Sequence, residues 1–407
     1  MIINTCTVTE NADSECRKII RRTLRTSPNA FVGVTGCYAQ LQPEEIASID
    51  GVDAVFGSKE KFAIPLLFNE FHKLDTPQIH VSDIEHVEFV ESSSSDNDSR
   101  NRAFLKLQDG CNYNCSFCTI PLARGGSRSM KFTDIMPRIN TLIQAGFREI
   151  VLSGINLGDY TAPTGEKFVD VLRLINSCSP EARFRISSIE PNLLTSEIID
   201  LVASSEVIVP HFHIPLQSGS PDILKKMRRR YKAEYYSSLV TEIKSKIPDC
   251  CIGVDVIVGF PGETDTHFEE TFSFLHELPI SYLHVFTYSE RENTPAAEYL
   301  PKVQPNVRKE RTSRLRTLSA MKKHEFYRSQ IGTVHTIIPE FYYPETKLWI
   351  AWTENYVRVE FSASPSLLQI PMQIQLDEIK GEVMTGTLLE SPQLVSQNTP
   401  EYYSILF

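Results

Sequence analysis

Residues 104–118 read FLKLQDGCNYNCSFC, an apolar run followed by a turn-prone loop that carries Cys111, Cys115 and Cys118. Thiolates in this C-x3-C-x2-C spacing can hold three corners of a cubic [4Fe–4S] cluster. The loop offers no fourth cysteine, so one iron of such a cluster stays open to a substrate or cofactor. The stretch therefore predicts a strand that ends in an iron–sulfur site built for chemistry.

Two other uses of these cysteines compete with the cluster. A structural zinc knuckle usually takes four ligands, as C-x2-C pairs or as cysteines with a nearby histidine. Unliganded buried thiols fit poorly, because Gly110, Asn112 and Asn114 make the loop polar and turn-prone. The spacing favours the cluster over both.

The composition is typical of a globular protein with two or three domains: 407 residues, 46.2 kDa, 41% hydrophobic and 23% charged. No apolar run is long enough for a membrane span, and the first residues do not resemble a signal peptide. Nine cysteines, an odd number with clustered spacing, favour reduced thiols and metal binding over disulfides. These features predict a cytoplasmic protein with no membrane partner.

The charge pattern gives a weaker signal for nucleic acid. The net charge of −10 does not indicate such a partner by itself. Basic residues nevertheless cluster at residues 17–25, 225–232 and 308–328. Each run alone fits a solvated helix face, but three of them in an acidic protein favour an RNA-binding face.

From Phe104 onward, six short apolar runs alternate with helix-like stretches, which predicts a parallel α/β array because parallel strands need crossover helices. Six units are too few for a closed eight-stranded barrel, so we expect an open, partial (β/α)6 barrel. The predicted strands are Phe104–Leu107, Glu149–Leu152, Arg183–Ile189, His211–Leu216, Ile252–Phe260 and Tyr282–Tyr288.

Every predicted strand of this array ends in glycine or proline mixed with hydrogen-bonding side chains. Gly154, Ser188, Glu190 and Gln217 are examples. Any one of these ends alone is an ordinary βα turn. Because parallel arrays bind ligands at the carboxyl ends of their strands, six polar ends around one cysteine loop predict a site for a ribose or an amino-acid head group.

Two further cysteines, Cys6 and Cys37, follow the predicted strands Ile2–Asn4 and Phe31–Val34. This placement suggests a second metal site, although two unrelated small apolar residues would give the same pattern. Cys16 is a poor third ligand, because it lies well along the predicted helix.

The chain divides by composition and periodicity. Beyond residue 331, five short strand-like runs suggest a small β-barrel, a common nucleic-acid-binding scaffold. Its aromatics Trp349, Trp352 and Tyr356 could stack on bases or simply fill a core. The predicted segments are an α/β unit at 1–85, a polar linker at 86–102, the core at 103–330, the barrel at 331–392 and a tail at 393–407.

Short motifs recur along nearly the whole chain: NTCTVT at 4–9, GCYAQ at 36–40, the cysteine loop, ARGGSRS at 123–129, PLQSGS at 215–220, MRRRY at 227–231 and GFPGE at 259–263. With these motifs the chain resembles the radical S-adenosylmethionine methylthiotransferases. The C-terminal segment, with WTENYV at 352–357, resembles the RNA-binding TRAM domain.

Within this family, NTCTVT and ARGGSRS most resemble the branch that adds a methylthio group at C2 of N6-threonylcarbamoyladenosine beside the tRNA anticodon. Sister branches modify isopentenyladenosine in tRNA or an aspartate of a ribosomal protein. A non-catalytic, metal-stabilised RNA-binding protein is the alternative of a different class.

The resemblance implies a partial radical barrel between a flavodoxin-like N-terminal domain and a TRAM barrel. It implies S-adenosylmethionine and two [4Fe–4S] clusters as cofactors, and tRNA, an electron donor and a sulfur source as partners. Cys111, Cys115 and Cys118 would hold the cluster that cleaves S-adenosylmethionine to a deoxyadenosyl radical. The implied contacts to that cofactor are Phe117, Gly154, Ser188, Glu190 and Gln217.

The resemblance also assigns Cys6 and Cys37 to the second cluster, which carries or donates sulfur. The family supplies three cysteines to that cluster, the first of them in a Gly-Cys segment on an earlier strand. We therefore expect that the N-terminal domain is truncated because the recorded start is too late. A damaged paralogue is the other interpretation.

Overall fold

The computed structural model describes residues 1–68, 70–84, 87–90, 93–95, 102–178, 181–367 and 370–389. The predicted tail at 393–407 and about half of the predicted linker lie outside the described residues. Among the helices described, none combines the length and apolar character needed to cross a bilayer.

The N-terminal unit is a parallel sheet whose first two strands end side by side. Its strands, in spatial order, are β1 (Ile2–Thr5), β2 (Gly33–Gly36), β3 (Ala54–Phe56) and β4 (Gln78–His80). Its helices are α1 (Glu10–Thr26), α2 (Cys37–Leu41), α3 (Pro43–Ala47) and α4 (Ile64–Leu67). Because Thr5 pairs with Gly36, the residues that follow them, Cys6 and Cys37, leave the sheet at the same edge.

The central unit is the open parallel array that the alternating sequence predicts. The strands are β5 (Ser93–Ser95), β6 (Arg102–Lys106), β7 (Gln108–Asp109), β8 (Arg128–Ser129), β9 (Glu149–Ser153), β10 (Arg183–Ile186), β11 (His211–His213), β12 (Cys251–Val258) and β13 (Tyr282–Thr287). Backbone pairing joins β6, β9 and β10 in one half and β11, β12 and β13 in the other, and a bridge between Ser188 and His213 connects the halves. β5 lies inside the segment predicted as linker and pairs antiparallel with β6.

Helices flank this array and bury its main hydrophobic core. On the helix at 132–144, Ile135, Ile139 and Leu142 recur at spacings of four and three, so one face packs against strand residues such as Ile150 and Leu152. The helices are α5 (Ile120–Arg124), α6 (Phe132–Gln144), α7 (Phe168–Cys178), α8 (Ser196–Ser204), α9 (Pro221–Lys226), α10 (Ala233–Lys246), α11 (Asp265–Glu277) and α12 (Pro305–Ser329).

The C-terminal unit is the small closed barrel predicted from the sequence. Its strands are β14 (Val334–Tyr343), β15 (Leu348–Thr353), β16 (Arg358–Ser362), β17 (Met372–Lys380) and β18 (Val383–Leu388), closed in the order β14-β15-β16-β18-β17. Alternate apolar residues such as Val359, Ile374 and Met384 fill its interior.

A buried charge cluster holds this barrel against the amino ends of the core strands. Glu149 is fully buried, and its carboxylate lies 2.8 Å from Arg102 Nε, 2.5 Å from Arg183 Nε and 3.0 Å from Arg185 Nε. Burial raises the pKa of Glu149, but the three guanidinium groups together outweigh burial and hold this pKa well below its usual range.

The same arginines donate hydrogen bonds to the backbone of the barrel. Arg183 donates to the carbonyl oxygens of Thr336 and Trp352, each at 2.9 Å, and Arg185 donates to that of Glu354 at 2.9 Å. The barrel is therefore docked to the core through largely buried charge-assisted hydrogen bonds.

The barrel aromatics make packing contacts within the protein. Trp349 is buried, and its indole N–H donates to the Ser364 carbonyl at 3.0 Å. The rings of Trp352 and Tyr356 stack at 4.6 Å, and the Arg185 guanidinium lies 4.9 Å from the Tyr356 ring.

Candidate active site

The cysteine loop follows β7 and is closed by hydrogen bonds from its backbone amides. The Cys111 amide donates to the Gly125 carbonyl at 3.1 Å, and the Tyr113 amide donates to Cys111 Sγ at 3.4 Å. Gly110 adopts a positive φ of 71°, and a Cβ there would lie 2.0 Å from the Gly126 carbonyl oxygen. Only glycine allows the loop to turn this tightly.

The three thiols of this loop form a suitable set for iron. Cys115 is buried, while Cys111 and Cys118 are partly exposed at the loop surface. Burial raises the pKa of the Cys111 thiol, and it raises that of Cys118 to about 12. The three sulfurs are close enough to influence one another's charge, so a bound cation is what would stabilise them together as thiolates. The chemistry of this donor set fits a three-thiolate iron–sulfur cluster.

A buried arginine lies directly behind the loop. Arg229 donates from Nη1 to Cys115 Sγ at 3.1 Å, and its other nitrogens contact the Glu190 carboxylate and, at 3.2 Å, the Tyr231 hydroxyl. Its positive charge next to a ligand sulfur would favour the thiolate and hence an anionic cluster.

A cavity of about 290 Å³ opens beside the cysteine loop. Gln217 Oε1 and Tyr288 OH are buried at its wall, and neither has a hydrogen-bond partner within the described part of the chain. Unpaired buried polar atoms of this kind fit a polar ligand such as S-adenosylmethionine. The lining is Val8, Thr9, Phe117, Cys118, Thr119, Ile120, Gln217, Asp255, Ile257, Phe286, Thr287, Tyr288, Ser289 and Arg291.

The five side chains and turns expected to contact S-adenosylmethionine divide into two groups. Phe117 and Gln217 line the cavity, and Gln217 adopts a positive φ of 69° that turns the chain at its rim. Glu190 is paired with Arg229, Ser188 Oγ lies 2.7 Å from His213 Nδ1, and a Cβ at Gly154 would lie 3.1 Å from the Gln108 side chain. These three are not among the residues that line the cavity.

Sequence reasoning missed a polar chain inside the array. His213 Nε2 lies 2.9 Å from Asp255 Oδ1, and His284 completes a group of three potential ligand atoms within 4.8 Å of one another. Asp255 lines the cavity. The hydrogen-bonded series Ser188, His213 and Asp255 therefore connects two strand ends to the cavity. The polar residues at alternate positions of otherwise apolar strands were the available signal.

An arginine of the core links Cys37 of the N-terminal unit to the cysteine loop. Arg124 donates from Nε to Cys37 Sγ at 3.3 Å and from Nη1 to Asp109 Oδ1 at 3.1 Å. Asp109 in turn accepts the Gly110 amide at 2.9 Å, one residue before the first cysteine of the loop. A continuous hydrogen-bonded path therefore connects Cys37 to the cysteine loop.

A second core arginine holds the segment that follows Cys6. Arg291 donates to the Thr7 hydroxyl and lies 2.7 Å from Asp13 Oδ2. This clamp places Val8 and Thr9 in the lining of the cavity. Residues of both units therefore enclose one ligand space.

The N-terminal donor set is incomplete for a three-thiolate cluster. Cys6 is exposed and Cys37 is buried, and they supply two of the three thiols that such a cluster needs. Cys16 lies closer to Cys6 than its position along α1 suggested. Its thiol donates a hydrogen bond to the Cys6 carbonyl oxygen, with Sγ 3.6 Å from that oxygen. Cys6 and Cys37 alone do not supply the complete ligand set of such a cluster.

The basic runs have mixed uses. In the run at 308–328, Arg308 pairs with Glu290, and Arg311 pairs with Glu263 at 2.6 Å. These arginines are buried structural groups, so only part of the predicted RNA-binding charge is free on the surface.

Two family models match parts of the chain, and a solved structure shares its fold. Residues 105–275 match the Radical SAM superfamily, and residues 1–57 match a family described as Uncharacterized protein family UPF0004. A radical S-adenosylmethionine methyltransferase, TsrM, from Kitasatospora setae shares the fold with a TM-score of 0.55 at 16% identity, over 73% of this chain and 63% of that one. The fold and the cysteine cavity thus define a radical S-adenosylmethionine enzyme.

Sequence relatives narrow the class. The chain is 39% identical to threonylcarbamoyladenosine tRNA methylthiotransferase MtaB of Bacillus subtilis (strain 168), over 90% of this chain and 83% of the relative. It is 38% identical to the protein of the same name from Aquifex aeolicus (strain VF5), over 88% and 86%. It is 35% identical to tRNA-2-methylthio-N(6)-dimethylallyladenosine synthase of Clostridium botulinum (strain Loch Maree / Type A3), over 82% and 76%.

The chain belongs to the radical S-adenosylmethionine methylthiotransferase family. Membership makes it an enzyme of the transferase class and implies S-adenosylmethionine and a [4Fe–4S] cluster as cofactors.

Proposed function

We propose that this protein adds a methylthio group to C2 of N6-threonylcarbamoyladenosine in tRNA. The observation that carries the proposal is that Val8 and Thr9, which follow Cys6, line the same cavity as Cys118 of the cysteine loop, while Arg124 links Cys37 to that loop. A sulfur-inserting enzyme needs its radical source and its sulfur site within reach of one substrate atom. Relatives named for this modification, at 36–39% identity over about nine-tenths of the chain, support this substrate over the alternatives.

The core cysteines and the strand ends have distinct roles in this proposal. Cys111, Cys115 and Cys118 bind the [4Fe–4S] cluster, and Arg229 stabilises the negative charge on Cys115. When bound, the cluster and S-adenosylmethionine supply a radical that removes a hydrogen atom from the substrate.

The cofactor-binding residues are those expected from the family resemblance. We assign direct contact with S-adenosylmethionine to Phe117 and Gln217, because both line the cavity. Gly154, Ser188 and Glu190 bind it or hold the strand ends behind it. Asp255 offers a carboxylate to the amino or hydroxyl groups of a ligand there.

The remaining partners are part of the same proposal. Cys6 and Cys37 would contribute two of the three ligands of a second [4Fe–4S] cluster, and a sulfur source and an external electron donor are further partners. Iron and sulfide analysis of the Cys6→Ala and Cys37→Ala variants after anaerobic reconstitution tests this point. Both variants should bind less iron than the wild type, and unchanged iron content would argue against the second site.

The proposed function is tested in a strain that lacks the gene. We expect its tRNA to accumulate unmethylthiolated N6-threonylcarbamoyladenosine, and a plasmid copy should restore the modified nucleoside, whereas one carrying Cys111→Ala should not. Mass spectrometry of tRNA nucleosides gives the readout. Unchanged methylthiolated threonylcarbamoyladenosine in the deletion strain would rule out this substrate and favour an isopentenyladenosine or a ribosomal-protein aspartate.

A further inference from the structure

The cavity at the cysteine loop opens into a much larger groove. The groove has a volume of about 1070 Å³ and runs along the open side of the parallel array, where β13 is the edge strand. Its walls are residues 9–11 at the start of α1 and one face of α12, and β13 forms its floor. It shares Phe286, Thr287 and Tyr288 with the cavity, so the two spaces are continuous.

The α12 wall presents free positive charge. Lys309, Ser313, Arg316, Thr317 and Ala320 are exposed at spacings of three and four, so they lie on one helix face along the groove. Within the described part of the chain, neither Lys309 nor Arg316 has an acidic partner.

Other arginines of the same helix are already neutralised. Arg311 and Arg314 pair with acidic residues at 2.6 Å, and Arg308 pairs with Glu290 at 2.6 Å. The pair with Arg308 also neutralises the acid of Glu290 at the groove wall. Glu10 at the opposite wall is the other carboxylate among the lining residues. The α12 side of the groove is therefore cationic.

An aromatic ring lies at the junction of groove and cavity. Phe286 is 40% exposed at the end of β13 and lines both spaces. A ring left this exposed beside an active site offers a stacking surface, and every nucleobase has a complementary face. Enzymes that act on a base take it out of its stack and hold it in such a pocket.

We infer that this groove binds a single-stranded RNA segment, with its phosphates on Lys309 and Arg316 and the target base on Phe286. The two cations are roughly 10 Å apart along the helix, so their long side chains can reach different phosphates of one extended strand. Their combination with an aromatic ring is typical of single-strand recognition, whereas an acidic protein loop would use the cations but not the ring. This inference rests on the proposed function and names the surface by which its substrate reaches the cavity.

Binding of a fluorescein-labelled anticodon stem–loop RNA, measured by anisotropy at two salt concentrations, tests the inference. Lys309→Glu and Arg316→Glu should each weaken binding about tenfold or more, and each should lower the salt dependence by about one phosphate contact. Phe286→Ala should weaken binding about tenfold through lost stacking, with the salt dependence unchanged. Arg328→Glu is the matched control, because Arg328 is exposed on the same helix but does not line the groove.

Thermal melting, monitored by circular dichroism, checks that each variant is folded. We expect both charge variants to fold, because Lys309 and Arg316 are exposed. Wild-type RNA affinity in both charge variants would overturn the inference and leave an acidic protein loop as the occupant. The variants could lose RNA binding while the wild-type enzyme never methylthiolates the RNA. That result would support the groove as an RNA site and refute the proposed function.

Discussion

Replacing Glu149 with Gln should release the C-terminal barrel from the core. Glu149 is the carboxylate that Arg102, Arg183 and Arg185 share, at nitrogen–oxygen distances of 2.8, 2.5 and 3.0 Å. Arg102 also pairs with Glu340 at 3.0 Å. Glutamine keeps the shape but leaves three buried guanidinium groups without their shared counter-charge.

The size of the expected destabilisation follows from the burial of Glu149 and its arginine partners. At an effective dielectric constant of about 20, one charge pair at 4 Å is worth about 4 kcal/mol. Removing one partner of a buried pair costs about 3–5 kcal/mol, because the remaining charge stays buried. We expect Glu149→Gln to reduce the free energy of barrel docking by that amount.

Tryptophan fluorescence during urea denaturation measures this change selectively. The two tryptophans of the chain, Trp349 and Trp352, both belong to the C-terminal barrel. The loss should move the midpoint of the fluorescence transition down by about 1 M urea or more.

Glu269→Gln is the control, because its pair with Arg314 is exposed and is worth at most about 1 kcal/mol. A midpoint for Glu149→Gln that matches this control would refute the account of barrel docking.

The contribution of Glu149 to stability falls as the pH is lowered. The pKa of Glu149 is lower in the folded protein than in the unfolded chain, so its contribution is complete above the unfolded value of about 4.3 and is lost as the pH falls through the folded value. Glu149→Gln should therefore be destabilised relative to wild type at neutral pH, with a difference that shrinks in strong acid.

Three other changes probe the site. Arg124→Gln should reduce methylthiolated product per deoxyadenosine about tenfold or more by breaking the contact with the N-terminal site, whereas Arg128→Gln, which removes a contact to the same Asp109 carboxylate, should not; equal losses would contradict this. Gln217→Ala should raise the KM for S-adenosylmethionine about fivefold or more in cleavage assays, and an unchanged KM would exclude direct contact. In iron-free protein at about pH 8, iodoacetamide should label exposed Cys178 well before Cys118. Iodoacetamide reacts with the thiolate, and burial raises the pKa of the Cys118 thiol to about 12. Peptide mass spectrometry measures the order of labelling, and the reverse order would refute this prediction.

The main architecture could be predicted from the sequence because it depends on local periodicity. Apolar runs alternating with amphipathic helices place β6, β9 and β12 within a few residues of their observed ends. The cysteine spacing is likewise a local signal. The short strands β4 and β5 were missed because they are polar and their pairing depends on neighbouring strands.

Contacts between distant parts of the chain could not be predicted in the same way. Arg124 reaches Cys37 across 87 positions of sequence, and Arg183 reaches Trp352 across 169. Nothing local distinguishes these arginines from those of a solvated helix face. For the same reason, the sequence could not decide whether Trp352 and Tyr356 stack on RNA or on the core.

The central claim is tested most directly with S-adenosylmethionine carrying a deuterated methyl group. The anaerobically reconstituted enzyme is given dithionite and two tRNAs, one carrying threonylcarbamoyladenosine and the other isopentenyladenosine, and the nucleosides are analysed by mass spectrometry. We predict a deuterated methylthio group on threonylcarbamoyladenosine, dependent on Cys111, Cys115 and Cys118. Deoxyadenosine formed without labelled threonylcarbamoyladenosine, or label on isopentenyladenosine alone, would contradict the account.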